Sequence, residues 1–306
     1  MASRPPAPHA FIKENIQMRF TLNVTMLDAA QYIPLARAAE EAGFHAVSVS
    51  DSIFYPEEAI GEYPYHEGRE FLEDKPFVDP LIAIVAMAAA TSTIQFSTFV
   101  IKLAIRDALI ASKAILSTAV MSENRLTLGV GISPWIDDFR HCNIPWEGRG
   151  KRLDEMIEIL RGVQSGDYFE YHGEHFDFPR LKMCPVPSRR LKITVGGHSA
   201  PALRRAARLG DGWVAANVTR DEMRGLISML DGYRREFGSD SRSDFIVQGM
   251  FSDIATFEPQ GYREVQDMGL TDVVLSLWGV YDPEQIDLPE RLDRIKRFAD
   301  EVLTKF

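Results

Sequence analysis

A chain of 306 residues with 45% hydrophobic and 25% charged side chains has the make-up of an ordinary globular protein, long enough for two small domains or for one barrel. Its 34 Lys and Arg against 44 Asp and Glu leave a net charge of -10 with no basic cluster, which argues against nucleic acid or an anionic membrane surface as partner. Cys142 and Cys184 form no CxxC pair, which excludes a disulfide framework and a thiolate metal site and points to a reducing compartment, the cytoplasm.

Residues 1–17 carry prolines and charges without the apolar run of a secretory signal, so they are expected to form a flexible arm ahead of a single domain over 18–306. Short β-branched runs then alternate with helical patterns, the mark of parallel βα units. Strands are expected at 19–24, 46–50, 94–101, 125–130, 192–195, 213–216, 245–250 and 272–277. Eight such units predict an α/β fold of the (β/α)8 TIM-barrel type. Asp28 and Gly43 should bound the first helix, Asp79-Pro80 should open the second and Asp107 the third. Leu153, Met156, Ile157 and Leu160 recur at helical spacing over 152–160. The apolar run 81–90 is too short to span a bilayer.

Long connections follow the second strand (53–78) and the fourth (132–150), and an insertion at 166–190 precedes the fifth. The first and third of these segments in order of length lie on the face where barrels keep their chemistry, and both carry aromatics: Phe54, Tyr55, Tyr63, Tyr65, Trp135 and Trp146. They read as pocket walls or a lid. His172-Gly173-Glu174-His175 lacks the spacing of a helical zinc motif, and its flanks alternate as a small hairpin would, so no metal is expected there.

The residues just after each strand are Asp51 and Ser52, Lys102, Ser133, Gly196-Gly197-His198-Ser199, Asn217, Ser252-Asp253 and Trp278. Neither the facing carboxylates of a glycosidase nor the His and Asp cluster of a metal hydrolase is among them. The two glycines before the Ala- and Arg-rich helix either let backbone N–H groups reach a phosphate or simply form a tight turn with Ser199 as cap.

Asp79-Pro80 with its Ala-rich helix, the strand leading to Arg106, Asn124-Arg125 with Leu128-Gly129-Val130-Gly131, the segment 149–161 (RGKRLDEMIEILR), and Val195-Gly196-Gly197-His198-Ser199 followed by 206–213 (AARLGDGW) occur in one order. Together they resemble the luciferase-like monooxygenase superfamily, and within it the oxidoreductases that use the deazaflavin coenzyme F420. The resemblance implies a bulge with a non-prolyl cis peptide near Phe99-Val100 under the cofactor ring. It also implies a phosphate site at Gly196, Gly197 and His198, a pocket floor lined by Gly129 and Gly131, Asn217 near the cofactor tail, and a homodimer.

Two positions depart from these relatives. Asp51-Ser52 stands where deazaflavin enzymes often carry Asp-His, and Pro134 stands where a sugar-phosphate-oxidising relative has an acidic residue, which argues against that substrate. A histidine's proton-handling role would then be vacant or moved to His66, His141 or Tyr55. The reading is hydride transfer between F420 and a small organic substrate, with Asp51 and Ser52 as candidate catalytic groups and Asp51 and Lys102 among the residues that hold the cofactor. Phe54, Tyr55, Trp135 and His141 would form the substrate pocket, and a separate reductase or dehydrogenase would regenerate the cofactor. An FMN-dependent monooxygenase and a flavin-binding barrel without turnover are the alternatives.

Overall fold

In chain order the elements are β1 (Arg19–Asn23), α1 (Ala29–Ala42), β2 (Ala46–Val49), α2 (Pro80–Ala88), β3 (Gln95–Thr98), β4 (Ile101–Lys102), α3 (Ala108–Met121), β5 (Leu126–Gly131), α4 (Ile136–His141) and α5 (Arg149–Val163). The chain continues through β6 (Phe169–His172), β7 (Asp177–Leu181), β8 (Lys192–Gly196), α6 (Ala200–Leu209), β9 (Gly212–Val218), α7 (Arg220–Glu236), β10 (Ile246–Phe251), α8 (Pro259–Asp267), β11 (Asp272–Leu275) and α9 (Leu288–Glu301). The computed structural model describes residues 17–62, 68–239, 244–279 and 286–306. The expected arm, apart from Gln17, and Tyr63, Tyr65 and His66 lie outside these residues.

Parallel pairing runs β3, β2, β1, β11, β10, β9, β8, β5, and β3 also pairs with β5, closing the ring at eight strand positions. The predicted third strand is divided. Its Phe99–Val100 peptide is cis, and the chain resumes as β4 alongside Val130 and Gly131. The predicted eighth strand stops at Leu275, because Ser276 Oγ donates to the Gly279 carbonyl and accepts from Trp278 N, turning the chain. Trp278 is thereby buried rather than presented at a strand end.

Residues in register share a face of the sheet. Leu22, Val47 and Phe96 pair across β1, β2 and β3 and point outward, where they meet the helices and form the main core. Their neighbours Asn23, Ser48, Ser97 and Thr127 form a layer inside the barrel, where Asn23 Nδ2 donates to Ser48 Oγ at 3.2 Å. The interior is therefore more polar than the branched aliphatic filling usual in such barrels.

The helix ends follow the sequence signals. Asp28 accepts from Ala30 N, Asp79 from Leu81 N and Ile82 N, and Asp107 from Ile110 N, each cap contributing about 1 kcal/mol. The His-Gly-Glu-His segment turns the β6–β7 hairpin, as predicted. Its turn is held by the fully buried Glu155 of α5, whose carboxylate accepts from Glu174 N, His175 N and Phe176 N at 2.9, 2.9 and 3.2 Å.

Candidate cofactor and substrate site

At the C-terminal end of the barrel, Phe99, Val214, Met250 and Val274 form an apolar cluster separate from the main core, with Val100 and Ala216 packed against it. Three glycines give Val100 its place. A Cβ on Gly131 would lie 2.7 Å from Val100 Cγ2, and one on Gly196 would lie 3.3 Å from both Val100 methyls. One on Gly129 would strike the Thr98 carbonyl at 2.1 Å. Gly131 and Gly196 thus make room for Val100, while Gly129 makes room first for the Thr98 carbonyl and then for Val100 Cγ1, 3.1 Å from where its Cβ would be.

Ile101 joins the outer core, so Lys102, next along β4 and in register with Gly131, points into the mouth. Its ammonium lies 2.7 Å from Asp138 Oδ2 and over the Trp135 ring, 5.5 Å from the centroid. Asp138 is fully buried, also accepts from Ser133 Oγ, and its Oδ1 has no donor among the described residues. Of the two partners, Lys102 is the one that retains exposure, 13% of its side chain against none for Asp138. Burial first, and then the Asp138 carboxylate, push the Cys142 thiol up, so it stays protonated at neutral pH.

Asp51, at the end of β2, accepts from Lys102 N at 2.9 Å and from Arg106 Nη2 at 3.0 and 2.9 Å. Both oxygens are engaged, and the carboxylate braces the chain just beyond the bulge. Ser52 is half-buried beside it.

The two long loops meet over this wall. Asp137, fully buried on α4, accepts from Ile60 N at 3.0 and 3.2 Å and from Gly61 N at 3.2 Å. Phe54 packs edge-on against His141, ring centroids 5.5 Å apart, with His141 on the exposed side. Tyr55 lies under Arg69, which donates to the Pro56 and Glu57 carbonyls. Trp135 is buried as the wall beside Lys102.

On the opposite side, Gly197 has φ +125°, a conformation open to glycine, and its carbonyl accepts from Trp213 Nε1 at 2.8 Å. Ser199 caps α6 by accepting from Ala202 N. The N–H groups of Ser199 and Ala200 have no acceptor among the described residues, and they stand at the positive end of α6. His198 Nε2 accepts from Ala216 N at 3.2 Å, which places the neutral ring's proton on Nδ1. Burial holds His198 below its ordinary value against the opposing pull of Glu222. Asn217, with φ +52°, lines a cavity of about 630 Å³ bordered by β10, β11, α8 and α9.

Asp137 and Asp138 were absent from the strand-end inventory because they sit inside a loop, on a short helix. Their signal was two adjacent carboxylates between Trp135-Ile136 and Phe139, an apolar setting that demands partners.

The family model for luciferase-like monooxygenases matches residues 17–252. An uncharacterized protein of Mycobacterium tuberculosis is 40% identical over 292 residues, covering 94% of this chain and 100% of that protein. The F420-dependent glucose-6-phosphate dehydrogenase of Gordonia bronchialis is 25% identical over 209 residues, 67% of this chain and 58% of its own length. Among solved structures, an F420-dependent secondary alcohol dehydrogenase in complex with an F420-acetone adduct superposes with TM-score 0.75 at 12% identity, covering 94% of this chain and 98% of that one. The FMN-bound oxygenating constituent of the 3,6-diketocamphane monooxygenase of Pseudomonas putida gives 0.69 at 15% identity, covering 94% and 99%. At these identities the superpositions establish the shared barrel.

Proposed function

Because the chain belongs to the luciferase-like monooxygenase family, we propose that it is an oxidoreductase moving a hydride between coenzyme F420 and a small organic substrate. The observation that carries the reading is the mouth itself: an apolar floor centred on Val100, with a phosphate-competent helix end at Ser199 and Ala200 on one side and the Lys102 ammonium on the other. These residues fit a planar ring system with a phosphorylated tail. When bound, the deazaflavin would supply the hydride chemistry.

The chain's own groups supply position and charge. Val100 and Phe99 support the ring, Gly197 brings the backbone close to the phosphate, and Asn217 borders the tail. Lys102, held by Asp138, faces the oxygen of the substrate and stabilises negative charge developing there. Asp51 and Arg106 keep the bulge and Lys102 in register. Phe54, Tyr55 and Trp135 exclude water, and the Asp137 tether keeps the two loops together.

F420 is preferred because two relatives with a named activity, the dehydrogenase above and an F420-dependent hydroxymycolic acid dehydrogenase of Mycobacterium tuberculosis, carry it in their names. FMN, with monooxygenase chemistry, is the second reading, since the same floor and helix end accept a flavin phosphate. Fluorescence titration with F420 and with FMN tests the proposal. Tight F420 binding that Gly197→Asp abolishes is the expected result; preference for FMN would replace the reading with the monooxygenase, and failure to bind either would refute both. The protein is further proposed to work in the cytoplasm as a homodimer, with a separate reductase or dehydrogenase restoring the cofactor.

A further inference from the structure

A second cavity of about 700 Å³ opens at the N-terminal ends of the strands, the end of the barrel away from the mouth. Lys192 opens β8 and Gly196 closes it, so the two ends of that strand lie about 13 Å apart. The chain is acidic overall, yet this cavity is not. Arg19 is neutralised by Asp272 at 2.7 Å, and Arg190 is paired with Asp211. Lys192 and Arg189, which also line the cavity, have no carboxylate within ion-pair distance among the described residues.

Lys192 is in register with Thr127, and Thr127 with Ser97, so all three point inward. Ser97 is only 5% exposed, lines the cavity, and its hydroxyl has no partner among the described residues. A buried hydroxyl without a partner is costly unless something enters to meet it. His45, at the rim, reports the local field. Withdrawal from bulk water is the largest cause holding its imidazole below the ordinary value, and Arg19 and Lys192 add to it against the opposing pull of Asp272.

We infer that this cavity is a binding site for a small oxyanion, a phosphate- or carboxylate-bearing molecule recognised by Lys192, Arg189 and Ser97. Two uncompensated cations beside an unpartnered buried hydroxyl form a donor-rich, acceptor-poor surface, the complement of such a group. A merely hydrated barrel end would respond to chloride and phosphate alike.

The test uses the full-length wild-type protein, with inorganic phosphate and malonate against sodium chloride at matched ionic strength, and reads the cavity through His45, which lines it at the end of the barrel away from α6. Thermal melting and the NMR titration of His45 are the readouts. An oxyanion seated here raises the melting temperature, and by adding negative charge near Arg19, Lys192 and Asp272 it raises the His45 pKa. Lys192→Met should weaken that anion's Kd about tenfold, ~1.4 kcal/mol; Arg189→Gln is the second variant should the first not fold. Response to phosphate alone identifies a phosphate site and response to malonate alone a carboxylate site. A His45 titration unmoved by either anion, or an undiminished affinity in both variants, overturns the inference without touching the proposed redox function.

Discussion

Lys102 Nζ stands 2.7 Å from Asp138 Oδ2, an ammonium whose side chain is 13% exposed against a carboxylate that is not exposed at all. The two partners are therefore unequal. Removing Lys102 strands a buried negative charge, at a cost of about 3–5 kcal/mol, whereas removing the Asp138 charge leaves an ammonium able to turn toward water in the mouth. Lys102→Met should destabilise the protein more than Asp138→Asn, and Lys102→Met with Asp138→Leu should recover most of the loss. Urea unfolding of the three variants checks this; equal losses from the two single substitutions would refute the asymmetry.

The Asp137 carboxylate is the tie between the loops that follow β2 and β5. Asp137→Ala removes the acceptor from Ile60 N and Gly61 N and frees a loop with few other backbone bonds. Limited proteolysis within 53–62 should quicken at least ~tenfold, on the order of 1–2 kcal/mol of local opening, with the midpoint for global unfolding shifted much less. Unchanged nicking would show that the aromatic contacts alone hold the loop.

The barrel was readable because its determinants are local. Asp28, Asp79-Pro80 and Asp107 cap their helices in the structure as their positions in sequence require, and each barrel strand overlaps a predicted strand segment. The expected non-prolyl cis peptide at Phe99-Val100 is present. The pairing of Lys102 with Asp138 and the grip of Glu155 on the 174–176 turn were not readable, since each joins separate elements through a buried carboxylate. Nothing in the local pattern around Glu155 separates it from the solvated charges of the same helix. The resemblance likewise assigned Gly129 and Gly131 to the floor without revealing that Val100 fills the space over Gly131 and the Thr98 carbonyl the space over Gly129.

The groove between α2 and α3, about 600 Å³, is lined by Leu81, Ile82, Val85 and Ile110, and Ile82 and Ile110 are 68% and 73% exposed. Large aliphatic side chains clustered on two adjacent helices suit a subunit interface. Ile82→Glu with Ile110→Glu should yield a monomer with unchanged circular dichroism in sedimentation velocity. Wild-type protein sedimenting as a monomer at micromolar concentration would refute the proposed homodimer.

Glu40 of α1 receives Ser92 N, Thr93 N, Ile94 N and the Thr93 hydroxyl. Burial pushes its pKa up, but these donors outweigh burial and bring it down to about 2 from 4.5. A depressed carboxylate stabilises the fold fully above its unfolded value, and that stabilisation is lost as pH falls through the folded one. The stability difference between wild type and Glu40→Gln should therefore be constant above about pH 5 and shrink steadily toward pH 2. Denaturant midpoints at closely spaced pH values measure it, and a difference that does not change over that window would show that Glu40 does not titrate there.

Gly131 and Val100 offer the sharpest test of how the floor is built. A methyl on Gly131 meets Val100 Cγ2 at 2.7 Å, with Val100 Cβ next at 4.0 Å, whereas a methyl on Gly129 meets the Thr98 backbone carbonyl at 2.1 Å. Side chains can be shortened and a strand carbonyl cannot. Gly131→Ala should cost about 1–3 kcal/mol, the usual cost of overpacking, and Val100→Ala should relieve most of it. Gly129→Ala should be worse, and Val100→Ala should not rescue it. A double-mutant cycle by chemical denaturation decides the matter: strong coupling of Val100 to Gly131 but not to Gly129 means that Gly131 is there to make room for the Val100 side chain and Gly129 for the β3 backbone. Equal rescue at both positions would mean that the glycines are needed for the backbone path of β5, and the floor would have to be assigned to other residues.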